Sequence, residues 1–226
     1  MFQPYGLSHG IVATVFVVVT VLLLVLPATQ TTSRVFALLV VAVQLPFQIH
    51  TMLPAQWDVA YSLPLQLCDL ALIAAVCALW THSPAATALT YYWGLTLTAQ
   101  ALLTPAYRGP DFPDWQFLMF WGIHLCTMWA AIYLTWGVGI RPDWHGYRVT
   151  LVVTAAWAVI MMMFNGLVDA NYGFLNAKPV GSVLDLFGPW PLYLLVAAAL
   201  ITTLWALITT PFLSRHSRAY GPQRGR

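Results

Sequence analysis

Leu63-Pro64-Leu65-Gln66-Leu67-Cys68-Asp69 places an amide, a thiol and a carboxylate within four residues, and the apolar run it opens continues to Trp80 without another charge. An uncharged run of that length reads as a helix in lipid. Pro64 fits its first turn, where backbone amides have no helical partner. Groups that hydrogen-bond or ionise are costly at such depth, so each is a functional candidate. This stretch therefore makes the chain a membrane protein and puts Cys68 first among the residues whose chemistry needs a reason.

The composition points the same way. Of 226 residues, 60% are hydrophobic and 7% charged, against roughly 25% charged in soluble domains. Glu is absent, Lys178 is the one lysine, and a net charge of +2 gives no footing for nucleic acid. Cys68, Cys77 and Cys126 lie in apolar runs without CxxC spacing, which argues against a disulfide framework or a zinc site. Cys77 and Cys126 read as small buried hydrophobes. No phosphate-cradling glycine motif is present, so no cofactor and no metal is expected. The expected partner is a membrane phospholipid or a fatty acyl group.

About 20 apolar residues cross the hydrocarbon core. The fold expected is all-α, a polytopic membrane helical bundle filling residues 1–213 as a single transmembrane domain. Its seven transmembrane helices are expected at about 9–26, 35–53, 63–80, 86–103, 115–136, 148–168 and 190–212, with a basic, disordered tail at 214–226. With seven spans, one side holds Arg34, Arg141, Arg148, Arg215, Arg218, Arg224 and Arg226, and the other only Arg108 and Lys178. That split predicts a cytoplasmic C-terminus and an N-terminus outside.

On that orientation the intramembrane polar groups collect in the outer half. Gln66 and Asp69 flank Cys68. Gln48 and His50 sit near the outer end of the second helix, Gln100 near that of the fourth, and Asn165 near that of the sixth. At about 1.5 Å per residue, Cys68 lies roughly 8 Å and His124 roughly 14 Å below the outer boundary. Such a pocket suits acyl transfer, which needs a nucleophile, a base and donors for the oxyanion. Cys68 is the candidate nucleophile and His124 the candidate base, with His50 a rival. Gln66, Gln100 or a backbone amide at the start of the third helix would be the donors. Asp69 is either paired with His124, His50 or Lys178 or protonated; it could orient the histidine or relay protons in a transporter. A non-catalytic transporter or lipid/ligand-binding protein using the same pocket is the alternative, and a structural membrane subunit a third reading.

The segment between the last two runs is too aromatic for a linker: Asn171-Tyr172-Gly173-Phe174-Leu175, Lys178-Pro179, Ser182, Leu184-Asp185, then Gly188-Pro189-Trp190-Pro191-Leu192-Tyr193. Long ordered loops are usually functional. It is expected to cap the outer pocket, with Lys178 or Asp185 near the mouth.

Together with the Leu63–Asp69 stretch and the His124 helix, this last motif resembles the YwaF-like bacterial membrane proteins, grouped with the transmembrane protein 164 family. The resemblance covers roughly residues 63–193. It implies an integral protein of a bacterial plasma membrane. The eukaryotic relatives are acyltransferases that move fatty acyl chains between phospholipids with an intramembrane Cys and His. Distantly similar androgen-induced membrane proteins are hydrolases with Thr in place of Cys. Cys68 and His124 fall where the resemblance puts that pair. Gln66 stands where many relatives carry His. The resemblance implies a phospholipid acyltransferase or acyl hydrolase working through a thioester. The residues' own placement adds Gln66, Asp69, His50, Gln100, Asn171, Tyr172, Lys178 and Asp185 as supporting or substrate-binding positions.

Overall fold

A computed structural model describes residues 1–105, 107–178 and 183–213. The expected basic tail, and Pro179 and Ser182 of the aromatic loop, lie outside those residues. The described residues form helices and no strand. Helix α1 is Leu7–Val25, α2 is Gln30–Thr51, and α3 is Leu67–Thr81. Helix α4 starts as Pro84–Tyr92, passes through a π-helical turn at Trp93–Thr98 and ends as Gln100–Leu103. Helix α5 is Trp115–Ile132, extended by a second π turn at Tyr133–Val138. Helix α6 is Trp144–Val168 and α7 is Leu192–Leu213.

Five helices among the described residues are long and apolar enough to cross a membrane: α1, α2, α5 with its π turn, α6 and α7. In α1, α2, α6 and α7, at most 22% of the apolar window is buried within the chain, against 50% in α5. Four apolar helices therefore present broad surfaces outward and α5 runs through the middle. In water such surfaces would be untenable; in lipid they are the rule. The protein is an integral membrane protein.

Helix ends follow hydrogen bonding rather than polarity. The apolar run of α2 begins at Val35, yet the helix starts five residues earlier because the Thr29 hydroxyl accepts from the Thr32 amide at 3.1 Å. Asp143 starts α6 four residues before Arg148 by accepting from the Gly146 amide at 2.7 Å. The third helix moves the other way. Gln66 is extended (φ −63°, ψ 152°) and is the N-cap, so Leu63–Gln66 leads into α3 instead of forming its first turn. Within α4 the Thr96 hydroxyl donates to the Tyr92 carbonyl, the acceptor one turn back, where the π turn runs.

Helix α3 packs on α2, α4 and α5. It does so through Ala71, Ala74, Ala75 and Ala78, each at most 8% exposed. Small residues let helix backbones approach closely where no hydrophobic driving force acts between them. On the far side of the bundle, buried aromatics meet hydroxyls. Trp93 Nε1 donates to Thr154 at 2.9 Å, Trp205 Nε1 to Thr96 at 2.9 Å, and the Tyr92 and Thr209 hydroxyls are 2.7 Å apart. Each polar tip is thereby satisfied without water.

Candidate active site

Three helices each turn one stripe toward a common cavity of about 630 Å³, within the range of small-ligand sites. From α2 come Val40, Val41, Gln44, Leu45 and Gln48; from α3, Cys68, Asp69, Leu72, Ile73, Val76 and Cys77; from α5, Gln116, Met119, Phe120, Ile123 and His124. The i, i+1, i+4, i+5 spacing is one helix face in each case. The cavity is polar where α2 ends and α3 and α5 begin, with Gln48, Thr51, Gln66 and Gln116. Toward Val40, Val41, Val76 and Cys77 it is apolar. That gradient suits a molecule with a polar head and a hydrocarbon tail.

Cys68 is the second residue of α3, not five residues inside a helix. Its backbone amide thus belongs to the first turn, where amides have no partner within the helix and the helix dipole favours negative charge. The Asp69 carboxylate reaches back to the Gln66 amide at 2.9 Å, one half of a capping box. Its role in this geometry is to start α3.

The imidazole of His124 is not held by Asp69, one of the roles open to that carboxylate. Its Nδ1 lies 2.6 Å from the Phe120 carbonyl one turn earlier. A carbonyl only accepts, so Nδ1 carries a proton, and in the neutral ring Nε2 keeps its lone pair. The orienting group is Phe120 and not Asp69, and among the described residues Asp69 makes no ion pair; the one found joins Lys178 to Asp185 at 3.2 Å. The site therefore offers a thiol at a helix N-terminus and a neutral imidazole of fixed tautomer, lining the same cavity. Among the described residues no hydrogen bond joins Cys68 to His124; what they share is the cavity.

A family model described as the TMEM164 family matches residues 4–209. The chain belongs to the TMEM164 family. No curated protein and no solved structure matches it.

Other sequence candidates in this TMEM164 chain sort by whether they reach the cavity. Gln66 does; its Oε1 accepts from the Gly173 amide at 2.9 Å, which leaves its NH₂ as the donor group. Gln48 does, with its NH₂ given to the Ser62 carbonyl at 2.9 Å. His50 does not line it; the ring stands edge-on to Trp115 with centroids 4.5 Å apart. Gln100 is exposed on the last turn of α4 and does not line it either. Tyr107, which sequence reading passed over, does, and its hydroxyl donates to the Pro110 carbonyl at 2.8 Å. Burial, then Asp114 and Asp111, push that phenol above its usual range, so it stays protonated.

The aromatic loop is seated on the segment leading into α3. Tyr172 is fully buried; its hydroxyl donates to the Val59 carbonyl at 2.8 Å and accepts from the Leu63 amide at 3.2 Å. Trp157 of α6 donates to the Leu65 carbonyl at 3.0 Å. Gly173 has φ 69°, and a Cβ there would run into Trp157, so glycine is needed both for the backbone and for the fit. Asn171 holds the loop to itself, accepting from the amides of Asn176 and Ala177 at 3.1 Å. No described residue of 171–190 lines the cavity, Lys178 and Asp185 included. The expected lid is, in its described part, a brace behind the start of α3.

This brace makes a prediction. Tyr172→Phe deletes a donor and an acceptor that serve two half-buried backbone groups, at a cost of about 1–3 kcal/mol for the two bonds together. Thermal unfolding of the detergent-purified protein should drop by several degrees, and cleavage by an added protease between Met52 and Leu67 should quicken. Unchanged melting and cleavage would mean that the loop does not fix α3.

Gln44 was not singled out from sequence either. It lines the cavity, is 7% exposed, and has an amide nitrogen without a partner. The available signal was its position four residues before Gln48, which puts both amides on one face of an otherwise apolar helix.

Proposed function

We propose that this TMEM164-family protein is a membrane-embedded lipid acyltransferase or acyl hydrolase with Cys68 as nucleophile and His124 as base. One observation carries the reading: the thiol and an imidazole whose Nε2 lone pair is left free by the Phe120 bond line one cavity that is polar at one end and apolar at the other.

The chemistry runs in two balanced halves. His124 Nε2 takes the Cys68 proton as sulfur attacks the ester carbonyl carbon of an acyl lipid. The carbonyl electron pair moves to oxygen and is met by donors at the start of α3. The pair returns, the bond to the lipid alkoxy oxygen breaks, and that oxygen leaves with the proton from His124. An acceptor hydroxyl, or water, then loses its proton to Nε2 and attacks the thioester carbonyl. The thiolate departs and recovers the proton. Transfer and hydrolysis differ only in the acceptor.

We further infer seven spans, with α3 and α4 completing the set of five long helices. The Lys/Arg split puts the start of α3 toward the outer leaflet. Alpha-helix α3 is short for a span, and the Leu63–Gln66 lead supplies the missing apolar length. Within the family the Leu63–Asp69 and Gly188–Tyr193 motifs favour the YwaF-like bacterial branch and a plasma-membrane location. A reporter fused after Arg226 should be active in its cytoplasmic form and silent in its exported form. The opposite pattern would turn the cavity toward the cytoplasmic leaflet.

Cys77 provides an internal control for the thiol chemistry, since it is exposed and lines the same cavity. A lipophilic alkylating agent should modify Cys68 faster than Cys77, and leave buried Cys126 for last. His124→Ala should slow Cys68 alone. If the substitution slows both cavity thiols equally, His124 governs access and not the thiol, and the dyad is wrong.

A further inference from the structure

We propose that Gln44 is the side chain that holds the substrate's ester carbonyl and stabilises the oxyanion, a role that rests on the acyl-transfer reading above. Among the described residues, the buried polar side-chain atoms without a partner belong to Thr20, Gln44, Thr87, Trp121 and Thr135, and of these only Gln44 lines the cavity. Among the other amides there, Gln48 gives its NH₂ to Ser62 and Gln116 is exposed in the first turn of α5, while Gln66, held at its oxygen by the Gly173 amide, keeps its NH₂ but stands at the polar end of the cavity. A buried amide without a partner is costly, and at membrane depth there is no bulk water to relieve it. The nitrogen is shielded where it stands, so a bond to a ligand in the cavity needs the head of Gln44 to turn over.

The seat of this amide is on the histidine's own helix. A Cβ at Gly122, two residues before His124, would overlap the Gln44 nitrogen, while the Gln44 oxygen would stand 3.8 Å away. Glycine thus clears room on α5 for the head of a glutamine from α2. The nitrogen finds no acceptor there. A half-turn about the last side-chain torsion exchanges the two ends at no change in shape. The oxygen then meets the Gly122 Cα–H, a weak but favourable contact, and the NH₂ faces the cavity as a free donor. Gln44 lies one turn beyond Gln48 toward the apolar floor of Val40 and Val41. A carbonyl held there has the lipid head on the polar side and the acyl chain on the apolar side. As Cys68 sulfur bonds to the carbonyl carbon, the displaced electron pair gathers on the oxygen that this NH₂ touches.

The test compares two reagents on the full chain in lipid nanodiscs, both read at Cys68 by peptide mapping. One is a p-nitrophenyl fatty ester, whose attack passes through an oxyanion. The other is dodecyl methanethiosulfonate, which the thiol attacks at sulfur with no carbonyl involved. Gln44→Leu should slow acylation by the ester by about 10²–10³-fold, as removal of one oxyanion donor does, and leave the thiosulfonate rate nearly unchanged. Gly122→Ala keeps the glutamine but displaces its head, and should lower the ester rate in the same selective way. That second variant also decides the matter if Gln44→Leu does not fold. Wild-type ester rates in both variants would overturn the role of Gln44 while leaving the Cys68–His124 reading intact. An equal fall with both reagents would also overturn it, since Gln44 would then only shape the cavity. No ester adduct on the wild-type thiol would remove the acyl-transfer reading, and the role of Gln44 with it.

Discussion

Cys68→Ser should lower turnover of an acyl-phospholipid by about 10³-fold or more while KM changes little. The side chain keeps its place at the second position of α3, so the cavity binds lipid as before. A hydroxyl gives up its proton far less readily than a thiol, and the loss falls on the bond-forming step. His124→Ala should cost about 10²–10⁴-fold, the usual worth of a general base. The double variant should be little slower than the worse single one, because either loss disables the same step. Steady-state kinetics on the four proteins checks this. A silent Cys68→Ser with lipid binding intact would assign the cavity to binding or transport. In that case Asp69→Asn, and not the thiol, should stop ligand movement.

The second large effect lies in the brace behind α3. Asn165 is 1% exposed and bonds both backbone groups of Tyr172, accepting from its amide at 2.8 Å and donating to its carbonyl at 3.0 Å. The same NH₂ meets the Asn176 side-chain oxygen at 3.0 Å. Asn165→Leu keeps the volume and strands both backbone groups of Tyr172, while the exposed Asn176 can turn to solvent. At about 1–3 kcal/mol for each buried group left without a bond, the loss is about 2–6 kcal/mol. A fall of about 10 °C in the midpoint of thermal unfolding is expected for a chain of this size. Turnover should fall as well, because Tyr172 and Gly173 hold Leu63 and Gln66 at the start of α3. Asn165→Asp preserves the acceptor for the Tyr172 amide and should be milder. Equal, small effects from both substitutions would mean that the loop is not held through this residue.

The membrane helices were legible because lipid permits few arrangements of backbone, so apolar runs and helices nearly coincide. Their ends were less so. The start of α3 lies inside an apolar stretch, and nothing in the polarity of Leu63–Leu67 marks it; the mark is Asp69 three residues after Gln66. The π turn of α4 was hidden because a threonine hydroxyl on a backbone carbonyl leaves no periodicity. Cys68 and His124 stood out as polar residues in apolar helices, and the cavity holds both. His50 and Gln100 stood out for the same reason and do not line it, since depth along a helix says nothing about which way a side chain faces. Helix α3 is apolar on every side, so its cavity stripe of Cys68, Leu72 and Val76 has no sequence signature. Gln44 was concealed for a further reason: its meaning depends on Gly122, a residue 78 positions away whose contribution is the absence of a side chain.

The most direct measurement is the intact mass of the purified protein after brief exposure to an excess of acyl donor, quenched before an acceptor is added. The thioester mechanism predicts one added acyl group per chain, lost on treatment with neutral hydroxylamine and absent from Cys68→Ser. His124→Ala should accumulate the adduct far more slowly. An unmodified mass under donor excess, in a preparation that still binds the lipid, would contradict the mechanism and leave the cavity as a binding site.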